Sequence, residues 1–193
     1  FNMAPFVSPK DLPLCRQLGL GAIVYSESKF PSLKSFRGRE NAGPEIDAWV
    51  ENMVKSCDDN PAVKGFFIMD EPGVNDFPML ARAVAAVKKF APGKFTYINL
   101  FPDYATIGAP DKSQLGTSNY TEYLERFVNE VKPPFLSYDN YAVQISLDLQ
   151  NAYKVGSYYR NLLEVRRVAL KYNLPYLNIV SANQIRPFTT IPS

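Results

Sequence analysis

The 193 residues carry 21 Lys and Arg against 19 Asp and Glu, a net charge of +2, with 46% hydrophobic and 21% charged residues. That balance fits one soluble globular domain, excludes a disordered chain, and offers no basic stripe for nucleic acid. No apolar run approaches the ~20 residues of a membrane span, and the amino terminus lacks a signal-peptide pattern. Histidine is absent, which removes Ser-His-Asp and Cys-His catalysis and His-ligated metal sites, so carboxylates and tyrosines must supply any acid–base chemistry. The two cysteines, Cys15 and Cys57, lack CxxC spacing and sit among helical apolar positions. They read as buried free thiols in preference to a disulfide.

Taken in chain order, short β-branched or aromatic runs alternate with amphipathic helices. A first strand is expected at Asn2 to Phe6 and a second at Ala22 to Tyr25, followed by a solvated loop holding Lys34, Arg37, Arg39 and Glu40. Ile46, Trp49, Val50, Met53, Val54 and Cys57 form one apolar helical stripe, which makes Trp49 a core residue. A strand over Gly65 to Met69 precedes a helix from Phe77 to Phe90, and Phe95 to Leu100 reads as the next strand. Tyr120, Tyr123, Leu124, Phe127, Val128 and Val131 repeat the stripe, with Asn119 and Glu122 placed for a capping box. Phe135 to Tyr138, a helix marked by Leu162, Val165, Ala169 and Tyr172, and Tyr176 to Val180 complete the series.

Near-continuous apolar strands suit a parallel sheet covered on both faces. Polar clusters close strand after strand: Tyr25-Ser26-Glu27, Asp70-Glu71-Pro72, Asn99 with Asp103-Tyr104, Tyr138-Asp139-Asn140-Tyr141, and Ser181 with Asn183-Gln184. Chemistry at many carboxyl strand ends is the mark of a (β/α)8 TIM barrel, and no Gly-rich phosphate loop argues for a doubly wound sheet. Six strands fall short of eight, so the expectation is a single, incomplete TIM-barrel-like domain over 1–193 with about six βα units. A six-unit or open α/β architecture is the alternative.

The segment Phe66-Phe67-Ile68-Met69-Asp70-Glu71-Pro72 delivers two adjacent carboxylates at a strand mouth, only one of which can face the centre. It resembles the fourth strand of retaining (β/α)8-barrel glycoside hydrolases, and most closely that of the beta-galactosidase and agarase-like type. Ile98 to Pro102 and Leu136 to Tyr141 are similar to that family's next strand ends, and the resemblance runs from roughly Ile46 to Asn183. It implies Glu71 as general acid/base, Asp70 at the sugar-contacting asparagine position, and Tyr138 as a tyrosine that orients the nucleophile. The family's seventh-strand glutamate has no counterpart at Ser181-Ala182-Asn183, which leaves Asp139 as the second catalytic carboxylate. Tyr97, Asn99, Tyr104, Asn140, Tyr141 and Asn183 complete the expected substrate contacts.

The implied partner is a carbohydrate substrate, with no cofactor, no nucleic acid and no membrane. The remainder of a longer chain or another protein would cover open barrel edges, and the resemblance alone suggests a secreted or periplasmic setting. Blander roles exist for the same residues. Glu71 can pair with a neighbouring cation, Asp139 and Asn140 can cap a loop, and the tyrosines can pack. The competing functions are a non-catalytic carbohydrate-binding or structural barrel segment and, further off, a sugar lyase or isomerase.

Overall fold

The computed structural model describes residues 2–26, 32–39, 41–57, 59–109, 111–144 and 146–180. Strands and helices alternate along the chain: β1 (Met3–Val7), α1 (Leu12–Gln17), β2 (Gly21–Tyr25), α2 (Gly43–Lys55), β3 (Val63–Asp70), α3 (Phe77–Phe90), β4 (Phe95–Asn99), α4 (Tyr120–Val131), β5 (Leu136–Asp139), α5 (Ala152–Lys171) and β6 (Tyr176–Ile179). The chain divides into two compact units, one of Phe1–Ile98 with Arg126–Pro134 and one of Asn99–Glu125 with Phe135–Ser193.

In the first unit a sheet of order β1-β2-β3-β4 is parallel between β1 and β2 and between β2 and β3. Its inner strands carry much of the core: Val24, Phe66 and Ile68 are buried, as are Ile46, Trp49, Val50 and Met53 on α2. Burial of such side chains contributes roughly 1.5–3 kcal/mol each. α2 and α3 pack on one another, and Arg82 on α3 binds Asp47 on α2 through two 2.6 Å bonds. Gly65 is required by close approach, since a Cβ there would meet the Phe95 ring at 2.4 Å and the Phe95 carbonyl oxygen at 2.6 Å. Cys15 and Cys57 are both buried and free.

The loop from Leu33 to Arg39 keeps Lys34, Arg37 and Arg39 exposed, as expected of a solvated segment, and adds anchors that the residue types do not announce. Leu33 and Phe36 are buried, and Arg37 grips the buried Asp76 with bonds of 2.6 and 2.8 Å. Two apolar anchors and one charge-assisted fork tie this loop down, a pairing that residue type alone does not show.

In the second unit β5 and β6 pair in parallel from Leu136–Tyr176 to Asp139–Ile179, and Leu100 bridges to Tyr138, again parallel. The Asn119 side chain accepts the Glu122 N–H at 2.9 Å, while Glu122 reaches back to the Ser118 N–H at 3.1 Å. The reciprocal cap expected at α4 therefore forms one residue longer than the usual box. α5 begins at Ala152, where the Asn151 side chain accepts the N–H groups of Tyr153 and Lys154. Among the described residues, no helix is long and apolar enough to cross a membrane, and no cluster of acidic or cysteine side chains is placed to hold a metal.

Candidate functional site

The carboxyl ends of parallel strands expose backbone groups and side chains that no next turn of sheet covers, so residues there are available for chemistry. β3 ends at Asp70, which is exposed, and the following Glu71 is half-buried. Glu71 adopts φ 48°, the left-handed region that a residue with a Cβ enters at a cost of about 1–3 kcal/mol. The turn beyond it is pinned by Asp76, whose carboxylate accepts the Gly73 N–H at 3.1 Å as well as the Arg37 fork. That pairing holds the Arg37 guanidinium above its ordinary value, chiefly through the Asp76 hydrogen bonds.

Strand alternation sets the remaining directions in this unit. Gly65 and Phe67 lie on one face of β3, against Phe95 and Tyr97 of β4, whereas Asp70 follows the parity of Phe66 and Ile68 on the other. Tyr97 is buried and its ring sits 5.7 Å from that of Phe67. Phe6 of β1 joins them, edge-on to Phe67 at 4.8 Å. A cavity of about 390 Å³ lined by Phe36, Arg39, Ile46, Asn75, Met79 and Arg82 lies in the helical layer, and no expected site residue lines it.

The second unit gathers the polar residues. Asp139, buried at the end of β5, accepts the Asn99 carboxamide N–H at 2.9 Å, and Ser137 donates to Asn99 Oδ1 at 3.3 Å. The chain Ser137–Asn99–Asp139 fixes the orientation of the amide and aims two donors in one direction. Tyr138 falls between Ser137 and Asp139 and so points to the opposite face, where it is fully buried. Burial raises its hydroxyl well above the ordinary tyrosine value, so it stays protonated. Asn140, expected to touch substrate, donates to Asn161 Oδ1 at 2.8 Å and accepts the Ala142 N–H at 2.9 Å. Its carboxamide is thereby engaged in holding its own loop. Tyr104 is 40% exposed and Tyr141 half-buried. Asn183, with Glu27 and Ser181, lies outside the described residues.

A second cluster was not foreseen as a unit. Arg160 of α5 binds the buried Asp103 at 2.8 and 3.0 Å, and Asn161, wholly buried, accepts the Asp103 N–H at 3.2 Å. Tyr138 Oη, Asp103 Oδ1, Asn161 Nδ2 and Asn178 Oδ1 are buried without a hydrogen-bond partner among the described residues. A polar pair such as Arg160-Asn161 inside an amphipathic helix was the available signal, visible once the helix is extended back to Ala152.

No family model matches the chain, and no curated protein matches it. Among solved structures it is similar to a putative alpha-L-fucosidase from Bacteroides thetaiotaomicron, at 14% identity and a TM-score of 0.56 over 94% of this chain and 55% of that one. It is also similar to a β-glucuronidase from Ruminococcus gnavus solved with D-glucuronic acid, at 10% identity and 0.57 over 98% of this chain and 31% of that one. The GH53 catalytic domain of Ignisphaera aggregans shares 15% identity and a TM-score of 0.50 over 74% of this chain and 44% of that one. These neighbours are glycoside hydrolases of TIM-barrel-like fold, and at such identities the likeness shows the fold alone: the alternating α/β pattern of this chain is TIM-barrel-like. The chain spans between 31% and 55% of their length.

Proposed function

We propose that this chain acts as a glycoside hydrolase, cleaving a glycosidic bond in an oligo- or polysaccharide with Glu71 as general acid/base. The observation that carries the reading is Glu71 itself, a half-buried carboxylate held in left-handed backbone where β3 ends. Strain at a strand end persists only where the surroundings over-determine it, and such outliers gather at active sites. Its neighbours in fold are glycoside hydrolases, and the Asp-Glu-Pro strand end supports the finer likeness to the beta-galactosidase and agarase-like type.

In this chemistry the Glu71 carboxyl donates its proton to the glycosidic oxygen as the C–O bond to the anomeric carbon breaks. The resulting carboxylate then takes a proton from the water that completes hydrolysis. Asp139 is assigned the supporting carboxylate. Asn99, whose amide is committed to Asp139 and Ser137, serves as its positioning residue. Tyr104 and Tyr141, which are at least partly exposed, are the substrate contacts we retain. No metal or organic cofactor enters either step.

The test is Glu71→Gln assayed on galacto- and agaro-oligosaccharides. Turnover should fall about 10²–10⁴-fold, the usual contribution of a positioned acid/base, while sugar binding persists. Unchanged hydrolysis in the variant would overturn the assignment. Binding by the wild-type chain with no turnover at all would replace it with a non-catalytic carbohydrate-binding role.

A further inference from the structure

Asp76 stands at the amino-terminal cap of α3 but does not cap it. An aspartate in that place usually accepts an N–H of the first helical turn, and the Asp76 side chain makes no such bond. Its carboxylate, 1% exposed, turns backward instead. Oδ2 accepts the Gly73 N–H at 3.1 Å, and the two oxygens take the Arg37 fork at 2.6 and 2.8 Å. A buried carboxylate needs such a partner, because its charge is costly to hold alone. Arg37 comes from 39 residues earlier in the chain, on a loop fastened by the buried Leu33 and Phe36.

Between Asp70, the last residue of β3, and the pinned Gly73 lie only Glu71 and Pro72. Proline fixes its own φ, and the residue before it favours extended backbone. Glu71 takes φ 48° instead, against that preference and against its own Cβ. A conformation disfavoured on two counts persists where its surroundings over-determine it. Here β3 holds one end of the segment, and the Asp76 carboxylate holds the other.

We propose that Arg37 and Asp76 act together as positioning residues for Glu71. They hold the Glu71-Pro72-Gly73 turn so that the Glu71 carboxyl stays in line with the bond it protonates, and the Leu33–Arg39 loop thereby bears on catalysis without touching substrate. The inference rests on the acid/base reading of Glu71. Displacing a catalytic group by about 1 Å costs on the order of 10²-fold in rate, so a loosened turn should show in the protonation step before it shows in folding.

The experiment measures kcat/KM on dinitrophenyl and phenyl galactosides for wild type, Arg37→Lys, Asp76→Asn, Glu71→Gln and Arg82→Lys, with amide hydrogen exchange at Gly73. Arg37→Lys keeps a charge beside Asp76 and loses the fork. Asp76→Asn keeps an acceptor for Gly73 and loses the charge. Arg82→Lys breaks the equivalent fork to Asp47 in the helical layer and controls for a general loss of stability. Arg37→Lys and Asp76→Asn should lose roughly 10- to 100-fold on the phenyl substrate and no more than about threefold on the dinitrophenyl one, which needs no acid. Gly73 exchange should quicken about tenfold in Arg37→Lys. Arg82→Lys should stay within about twofold of wild type throughout. Equal deficits on both substrates, or a matching deficit in Arg82→Lys, would make the pair a stability element and overturn the inference, as would wild-type exchange at Gly73 in Arg37→Lys. A leaving-group-dependent deficit in Glu71→Gln beside none in Arg37→Lys would remove the pair and leave the acid/base reading standing. A Glu71→Gln deficit equal on both substrates, or a wild type that cleaves neither, would take down that reading and the positioning role with it.

Discussion

The two units of the chain are held together by different physics. Among the described residues, the first unit buries only Ser8, Asp76 and Thr96 as polar side chains, whereas the second buries Asn99, Asp103, Thr117, Ser137, Asp139, Asn140, Asp148 and Asn161. The first is therefore a matter of shape: Gly65 leaves room for Phe95, and aromatic rings fill the strand face around it. The second is a matter of hydrogen-bond satisfaction, in which each buried donor needs an acceptor because water cannot reach it. The difference teaches that volume is the sensitive variable in one unit and polarity in the other, within one repeating strand–helix scheme.

The sharpest way to break this contrast is Asn161→Leu, a substitution of nearly equal volume. It strips the acceptor from the Asp103 N–H and from the Asn140 carboxamide. Leaving two buried donors unmet should cost about 2–4 kcal/mol in urea denaturation; a cost below about 1 kcal/mol would remove polarity as the organising factor there. Next is Gly65→Ala, which changes no polar group but drives a Cβ into the Phe95 ring and carbonyl. A destabilisation of about 1–3 kcal/mol is expected from such overpacking, measured the same way, and a neutral result would show that β3 and β4 separate easily.

The smallest effect is electrostatic and belongs to the second unit. Glu164 titrates above its ordinary value of 4.5, first because burial disfavours its charge and then because Asp103 repels it, against the pull of Arg160 and Arg167. The fold thus favours protonated Glu164, a contribution complete below pH 4.5 and lost as pH rises through its value in the folded protein. Glu164→Gln should be more stable than wild type by a few tenths of a kcal/mol at pH 7, about 0.2–0.5, with the gain gone at pH 4. A gain of equal size at both pH values would point to packing instead of charge.

Much of the architecture is legible in the residues because strand and helix periods differ. The apolar run Gly65 to Met69 lies inside β3, and the stripe from Tyr120 to Val131 coincides with α4. α5 begins ten residues before the stripe at Leu162 shows itself, because Lys154, Gly156, Ser157 and Arg160 supply no apolar face; Asn151 as cap was the readable cue. The strand ends were equally legible, since Asp70 closes β3 and Asp139 closes β5. What stayed hidden depends on three-dimensional register: the bulge at Pro5-Phe6, the left-handed turn at Glu71, the Asn99 grip on Asp139 and the Asn140–Asn161 bond. None of these leaves a periodic trace: the bulge and the two side-chain bonds arise where residues far apart in the chain meet, and the Glu71 turn is a single left-handed residue.

The central claim is that Glu71 moves the proton to the leaving oxygen, and a leaving-group series tests it most directly. kcat/KM would be measured for aryl galactosides running from dinitrophenol to unsubstituted phenol, in wild type and Glu71→Gln. A good leaving group departs as an anion and needs no acid, whereas a poor one must be protonated as it leaves. The account predicts a Glu71→Gln deficit within about tenfold for the dinitrophenyl substrate that grows to roughly 10²–10⁴-fold for the phenyl one. A deficit of the same size along the whole series, or none, would contradict it.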